Sequence, residues 1–215
     1  MKRGLFIALT GIAVLLWVEQ GLAVSYGWKT LAKIVLFLAV PLFVFRGEVR
    51  RFMAFRQTVS RRIRIALWTG AGVMAALSSA YFLLSGWIDA EALTEDLAGR
   101  VGVTGGVYPF IALYILFGNS LLEEFFFRGV LPAQFRGYPR LGLTIPPLLF
   151  AVYHIAIFLP WFDLPILLLA VAGLWAGGVI FQLVNGRDGT ILPSWIIHMA
   201  ADLAILIIGA MMIYG

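Results

Sequence analysis

Apolar residues in this chain arrive in blocks of about twenty, the length an α-helix needs to cross a bilayer. The 215 residues are 62% hydrophobic and only 13% charged, against about 25% charged in an average soluble domain. Mean hydropathy is +0.97. These features predict an all-α fold, a polytopic membrane helix bundle of about seven (six to eight) transmembrane helices. The bundle is expected to form a single integral-membrane domain over 1–215, with N-terminal helices in 1–106 and a core in 107–214. No cysteine is present, which excludes disulfide and thiol chemistry. The net charge of +5 does not point to nucleic acid. Its basic residues sit at the ends of the apolar blocks, where they set topology and meet anionic lipid.

The spans predicted in order are 5–24, 28–45, 65–87, 107–127, 143–159, 166–184 and 191–214. The first follows Lys2 and Arg3 and is weighed as a retained helix against a signal peptide cut near Ala23-Val24-Ser25. Arg46, Arg50, Arg51, Arg56, Arg61, Arg62 and Arg64 follow the second span. They form either an interfacial lipid-binding helix or a cytoplasmic loop. Asp89, Glu91, Glu95 and Asp96 make the next loop acidic. Arg136 and Arg140 follow the fourth span, and Asn185-Gly186-Arg187-Asp188-Gly189 reads as a turn. Gly173 and Gly177 read as a small-residue face for helix packing. This charge pattern predicts a multi-pass protein with a cytoplasmic N-terminus.

Within this apolar background the polar residues stand out. Glu123 and Glu124 close the fourth span, and an ionised side chain in hydrocarbon costs about 2.5–3.5 kcal/mol on insertion scales. Arg128 lies four residues after Glu124, on the same helical face and in the favourable order for a pair. Glu123 points about 100° away from that pair and is expected to lack a partner, with Asn119 on its face. The only two histidines, His154 and His198, fall in the fifth and seventh spans, and Asp202 follows His198 by one helical turn. Three spans can therefore bring one polar site together. Glu123, His154 and His198 are expected to line a polar cavity opening toward the cytoplasm. The Phe125-Phe126-Phe127 run is expected to be lipid-facing and packing surface.

A buried glutamate beside a histidine can act as a general base on water, and a second histidine can donate to a developing oxyanion. That combination hydrolyses amides. The same carboxylates and imidazoles could instead ligate a divalent metal such as zinc, which would polarise the water. A His-Glu-x-x-His helix and a Gly-x-Gly-Asp motif are both absent.

Three stretches occur in order: Glu123-Glu124-Phe-Phe-Phe-Arg128, Phe150-Ala-Val-Tyr-His154 and His198-Met-Ala-Ala-Asp202. They resemble the Glu-Glu-x-x-x-Arg, Phe-x-x-x-His and His-x-x-x-Asn/Asp pattern of the CAAX protease and bacteriocin-processing (CPBP, Rce1/Abi-type) intramembrane proteases. The resemblance covers about 107–214. It implies that Glu123 activates water with help from His154, and that His198 and Asp202 stabilise the oxyanion. Glu124 and Arg128 would then hold the site in shape. It also implies a peptide or membrane-anchored protein as substrate, the lipid bilayer as surroundings and no nucleic acid. A metal-free glutamate mechanism is the expectation, with Glu123, His154, His198 and Asp202 as ligands in the metal-dependent alternative.

One position departs from the eukaryotic-type enzymes, which carry Asn where this chain has Asp202. An ionised aspartate cannot donate a hydrogen bond, so Asp202 must be protonated, orient His198 or bind a metal. With its short loops, the chain resembles prokaryotic members, in a cytoplasmic membrane. Peptide maturation, surface-protein processing and self-immunity are then expected ahead of prenylated substrates. Two rival classes are a proton-coupled transporter using the Glu/His chain as a relay and a non-catalytic immunity or scaffold protein on the same fold. No inverted repeat supports the transporter.

Overall fold

The computed structural model describes residues 2–21, 26–101, 103–186 and 190–215. The described residues include six helices long and apolar enough to cross a membrane: Gly27–Gly47, Ser60–Trp87, Tyr108–Ala133, Pro139–Phe158, Leu164–Asn185 and Leu192–Tyr214. The first helix, α1 (Lys2–Gly21), carries a shorter apolar stretch, Gly4–Val18. The expected polytopic bundle is therefore present, with one helix shorter than the rest. Ala23, Val24 and Ser25 of the expected cleavage site lie outside the described residues, as do Arg187, Asp188 and Gly189 of the expected turn. Whatever its processing, α1 packs Ala8, Ile12 and Leu15 into the core.

The second span is built from α2 (Tyr26–Ile34), a π-helical turn Val35–Ala39 and α3 (Val40–Phe52), which kinks at Phe45. No separate interfacial helix forms from the arginine-rich stretch. It is divided between the end of α3, a short 3-10 turn and the start of α4 (Ser60–Leu84). The acidic loop is more ordered than its glycines suggest. Asp89 caps α5 (Ala90–Asp96), its Oδ1 accepting from the Ala92 amide at 2.9 Å.

The fourth span is the central helix of the bundle. It runs through α6 (Tyr108–Leu113), a π-helical stretch Tyr114–Asn119 and α7 (Ser120–Glu124). A second π-helical stretch, Phe125–Val130, and α8 (Leu131–Ala133) complete it. It extends past the predicted end at residue 127. The π-helical stretches flank the glutamate pair, a placement common where a helix carries function.

The three consecutive phenylalanines of this helix, Phe125, Phe126 and Phe127, face protein. Phe125 is 3% exposed and Phe126 and Phe127 are 0% exposed. Phe126 stacks on Phe37 at 4.4 Å between centroids, and Phe127 meets Phe150 edge-on at 5.2 Å. The packing part of the expectation holds and the lipid-facing part fails, because this part of the helix is enclosed by its neighbours. Lipid-facing bulk lies elsewhere, as at Phe43, Trp68 and Leu83, each about 80% exposed.

The last three helices are α9 (Pro139–Phe158), α10 (Leu164–Asn185) and α11 (Leu192–Tyr214). Pro139 starts α9 earlier than predicted, at a position where its missing amide hydrogen costs nothing. Pro146 and Pro147 therefore lie inside the helix. Pro147 forms the seat for α10: a Cβ on Gly178 would stand 2.9 Å from Pro147 Cβ. Gly173 and Gly177 have open space in front of them. The close-packing face is thus one residue further on than expected, rotated by about 100°.

Two sets of bonds define the ends of the bundle. At one end Thr58 and Thr190 share a hydroxyl hydrogen bond at 2.8 Å, and Arg62 Nη1 donates to the Val184 carbonyl at 3.0 Å. The Ile191 amide donates to the Phe52 carbonyl there at 3.1 Å. At the other end Trp161 Nε1 donates to Asp96 Oδ2 at 2.7 Å. The arginine-rich and acidic segments therefore occupy opposite ends.

Candidate active site

The start of α11 is held firmly before it reaches the site. Asn185 at the end of α10 donates to Ser194 Oγ at 2.8 Å and accepts from the Ser194 amide at 2.9 Å. Trp195 Nε1 donates to Ser120 Oγ of the central helix at 2.9 Å. One turn further on, His198 faces the two glutamates.

Glu124 is fully buried and its Oε1 gathers two partners. His198 Nδ1 lies 2.8 Å from it and Arg128 Nη1 3.5 Å. The predicted pairing of Glu124 with Arg128 across one turn is present. The pairing with His198 is a tertiary contact that spacing alone does not reveal. Arg128 is also enclosed by aromatic faces, its Cζ 4.0 Å from the Phe150 ring centroid and 5.3 Å from that of Phe181.

Glu123 is 1% exposed, and here one expectation is corrected. It is not without a partner: Lys33 Nζ lies 3.0 Å from its Oε1. Asn119 Nδ2 donates to the same oxygen at 3.1 Å, and Lys33 also donates to Asn119 Oδ1 at 2.7 Å. The reason is tertiary, since Lys33 comes from α2, far away in sequence. A signal was nevertheless present in the sequence. An ionisable residue within a membrane span is a functional candidate by default, and Lys33 lies inside the predicted second span. Lysines near span ends usually reach back to the interface, which masks that signal.

Glu123 Oε2 accepts no hydrogen bond among the described residues. It faces His198 Nε2 at 3.7 Å. Asp202 Oδ1 lies 3.6 Å from that same nitrogen, too far for a hydrogen bond. His154 and His198 both pack against the Phe150 ring, at 4.3 and 5.8 Å between centroids. His154 Nδ1 is 2.8 Å from the Phe150 carbonyl. A carbonyl only accepts, so Nδ1 carries the hydrogen and Nε2 of the neutral ring is left with its lone pair. Six of the seven polar residues singled out from sequence are thus linked by polar contacts, with Lys33 added, and His154 meets them through the Phe150 ring.

The donor set was tested against a divalent metal. Among the described residues no three His, Asp or Glu side chains are grouped so as to hold one. Glu123 Oε1 already faces an ammonium, and Glu124 Oε1 is engaged by His198 and a guanidinium. Cationic partners in these positions oppose a dication, and the residues present do not fit it.

A groove of about 440 Å³ opens between the second span and the central helix. It is lined by apolar side chains including Ile34, Leu122 and Phe125, neighbours in sequence of Lys33, Glu123 and Glu124.

Carboxylates and imidazoles thus meet among helices long and apolar enough to cross a membrane, and the class the fold defines is a multi-pass membrane helix bundle. Residues 105–204 match the family described as type II CAAX prenyl endopeptidase Rce1-like. No curated protein and no solved structure gives a match.

Proposed function

We propose that this protein is an intramembrane endopeptidase in which Glu123 activates the attacking water. The observation that carries this reading is the asymmetry of the Glu123 carboxylate. Two donors hold Oε1, whereas Oε2 is free of hydrogen bonds and faces His198.

The chemistry follows from those groups. Water placed between Glu123 Oε2 and His154 Nε2 loses a proton to the glutamate as its oxygen bonds to the peptide carbonyl carbon. In its doubly protonated form, His198 donates from Nδ1 to Glu124 and from Nε2 to the oxyanion. As the carbon–nitrogen bond breaks, Glu123 returns the proton to the leaving amine. The glutamate is restored, and the products are a carboxylic acid and an amine. Glu124 and Arg128 hold the His198 ring, and Asp202 stands beside its Nε2.

The apolar groove lined by Ile34, Leu122 and Phe125 suits the apolar part of a membrane-anchored peptide or protein. The arginine-rich end of the bundle supports a cytoplasmic N-terminus, and the short loops support a place in a prokaryotic cytoplasmic membrane. The test is cleavage of lipid-anchored, quenched fluorescent peptides by purified protein in nanodiscs. Wild-type protein should cleave a subset of them, and Glu123→Gln none. Turnover that survives Glu123→Gln would refute the glutamate mechanism.

A further inference from the structure

Lys33 lies outside the segment that matches the peptidase family, yet it makes the closest charged contact with Glu123. Its Nζ bridges Asn119 Oδ1 at 2.7 Å and Glu123 Oε1 at 3.0 Å. It also stands 5.1 Å from the centroid of the Tyr153 ring, and Tyr153 immediately precedes His154. One side chain from α2 therefore touches the central helix and α9 at the point where their reactive groups meet.

We infer that Lys33 is a positioning residue for the reaction, fixing which oxygen of Glu123 acts on water. The inference rests on the reading of Glu123 as the base. Lys33 and Asn119 both donate to Oε1, so that oxygen is engaged and the carboxylate cannot spin freely about its terminal torsion. Oε2 is left as the accepting atom. Lys33 also supplies the positive charge that lets a carboxylate remain ionised where little water reaches it. Arg128, the nearby cation on the central helix, is instead engaged by Glu124 and two aromatic faces. The working peptidase thus requires α2 as well as the segment carrying the three motifs.

The experiment compares Lys33→Met, Lys33→Arg, Asn119→Ala and Glu123→Gln in the full chain. Each is assayed with a lipid-anchored quenched peptide that wild-type protein cleaves, alongside detergent melting. Lys33→Met should lower kcat about 100-fold with KM changed less than about threefold, because transition-state geometry is lost and ground-state binding is not. Lys33→Arg keeps the charge and should recover at least about tenfold of that loss. Asn119→Ala keeps both charges and carries the test if Lys33→Met does not fold; its kcat should fall about tenfold at constant KM. Wild-type kcat in Lys33→Met, or in Asn119→Ala where it stands in, overturns the inference. So does a kcat loss that Arg does not recover. Inactive Glu123→Gln beside fully active Lys33→Met would sink the role of Lys33 alone. Active Glu123→Gln would sink the glutamate reading itself.

Discussion

His198 Nδ1 lies 2.8 Å from Glu124 Oε1, and the same oxygen faces Arg128 at 3.5 Å. The glutamate not expected to touch water thereby holds the imidazole expected to touch the oxyanion. Spacing along the central helix places Glu124 and Arg128 together. Only the packing of α11 against that helix adds His198, so a change at Arg128 reaches the reacting groups through Glu124.

Arg128→Ala should therefore damage folding and activity together. It leaves Glu124 buried with His198 alone, and breaking a buried pair in this way costs about 3–5 kcal/mol. Melting in detergent and expression level measure it. Equal melting of Arg128→Ala and wild type would refute the supporting role of the guanidinium.

For Glu123→Gln, turnover should fall by about 10²–10⁴, the range for losing a general base. Because Lys33 is its partner, the change also leaves a largely buried ammonium without its counter-charge. The melting temperature should drop measurably, and Lys33→Met in the same protein should restore part of it. Additive losses in the double variant would contradict a direct pair.

Asp202→Asn tests the metal question. Asp202 makes no hydrogen bond to His198 across 3.6 Å, and asparagine would be a permanent donor in its place. Activity should stay within about threefold of wild type, and chelators should have little effect. Elemental analysis of the two purified proteins is the check. Stoichiometric zinc that disappears in the variant, together with activity, would replace the glutamate mechanism with a metal-dependent one.

Gly178→Ala and Gly173→Ala should differ in sign or size. A Cβ at Gly178 would meet Pro147 Cβ at 2.9 Å and Arg128 Nη2 at 3.2 Å, whereas Gly173 has nothing within 4 Å. Overpacking at the first costs about 1–3 kcal/mol, and the second should be neutral within about 0.5 kcal/mol. Paired melting curves decide it, and an equally stable Gly178→Ala would show that α9 and α10 can separate freely.

Particular residues show how far the sequence could be read. Asn119 with Glu123, Glu124 with Arg128 and Phe150 with His154 lie four residues apart, and each pair is in contact. Helical periodicity dictates such neighbours whatever the rest of the chain does. The face of a helix that meets protein is harder to read. Phe125, Phe126 and Phe127 are as apolar as any lipid-facing run, and hydrocarbon and protein interior both accept them. Gly178 could not be told from Gly173 and Gly177 for a related reason, since glycine says that helices can approach without saying which one does.

The sequence by itself determined that this chain spans a membrane several times as helices, and that its few ionisable groups within those spans are the ones to examine. Both conclusions follow from the cost of exposing polar groups to hydrocarbon, which acts on each segment separately. Tertiary structure alone decided that Glu123 is held by Lys33, that Glu124 holds His198, and that Phe125, Phe126 and Phe127 are core. Those contacts join residues of α2, the central helix and α11. They depend on how rigid helices settle against one another, and helical periodicity carries no information across the loops between them.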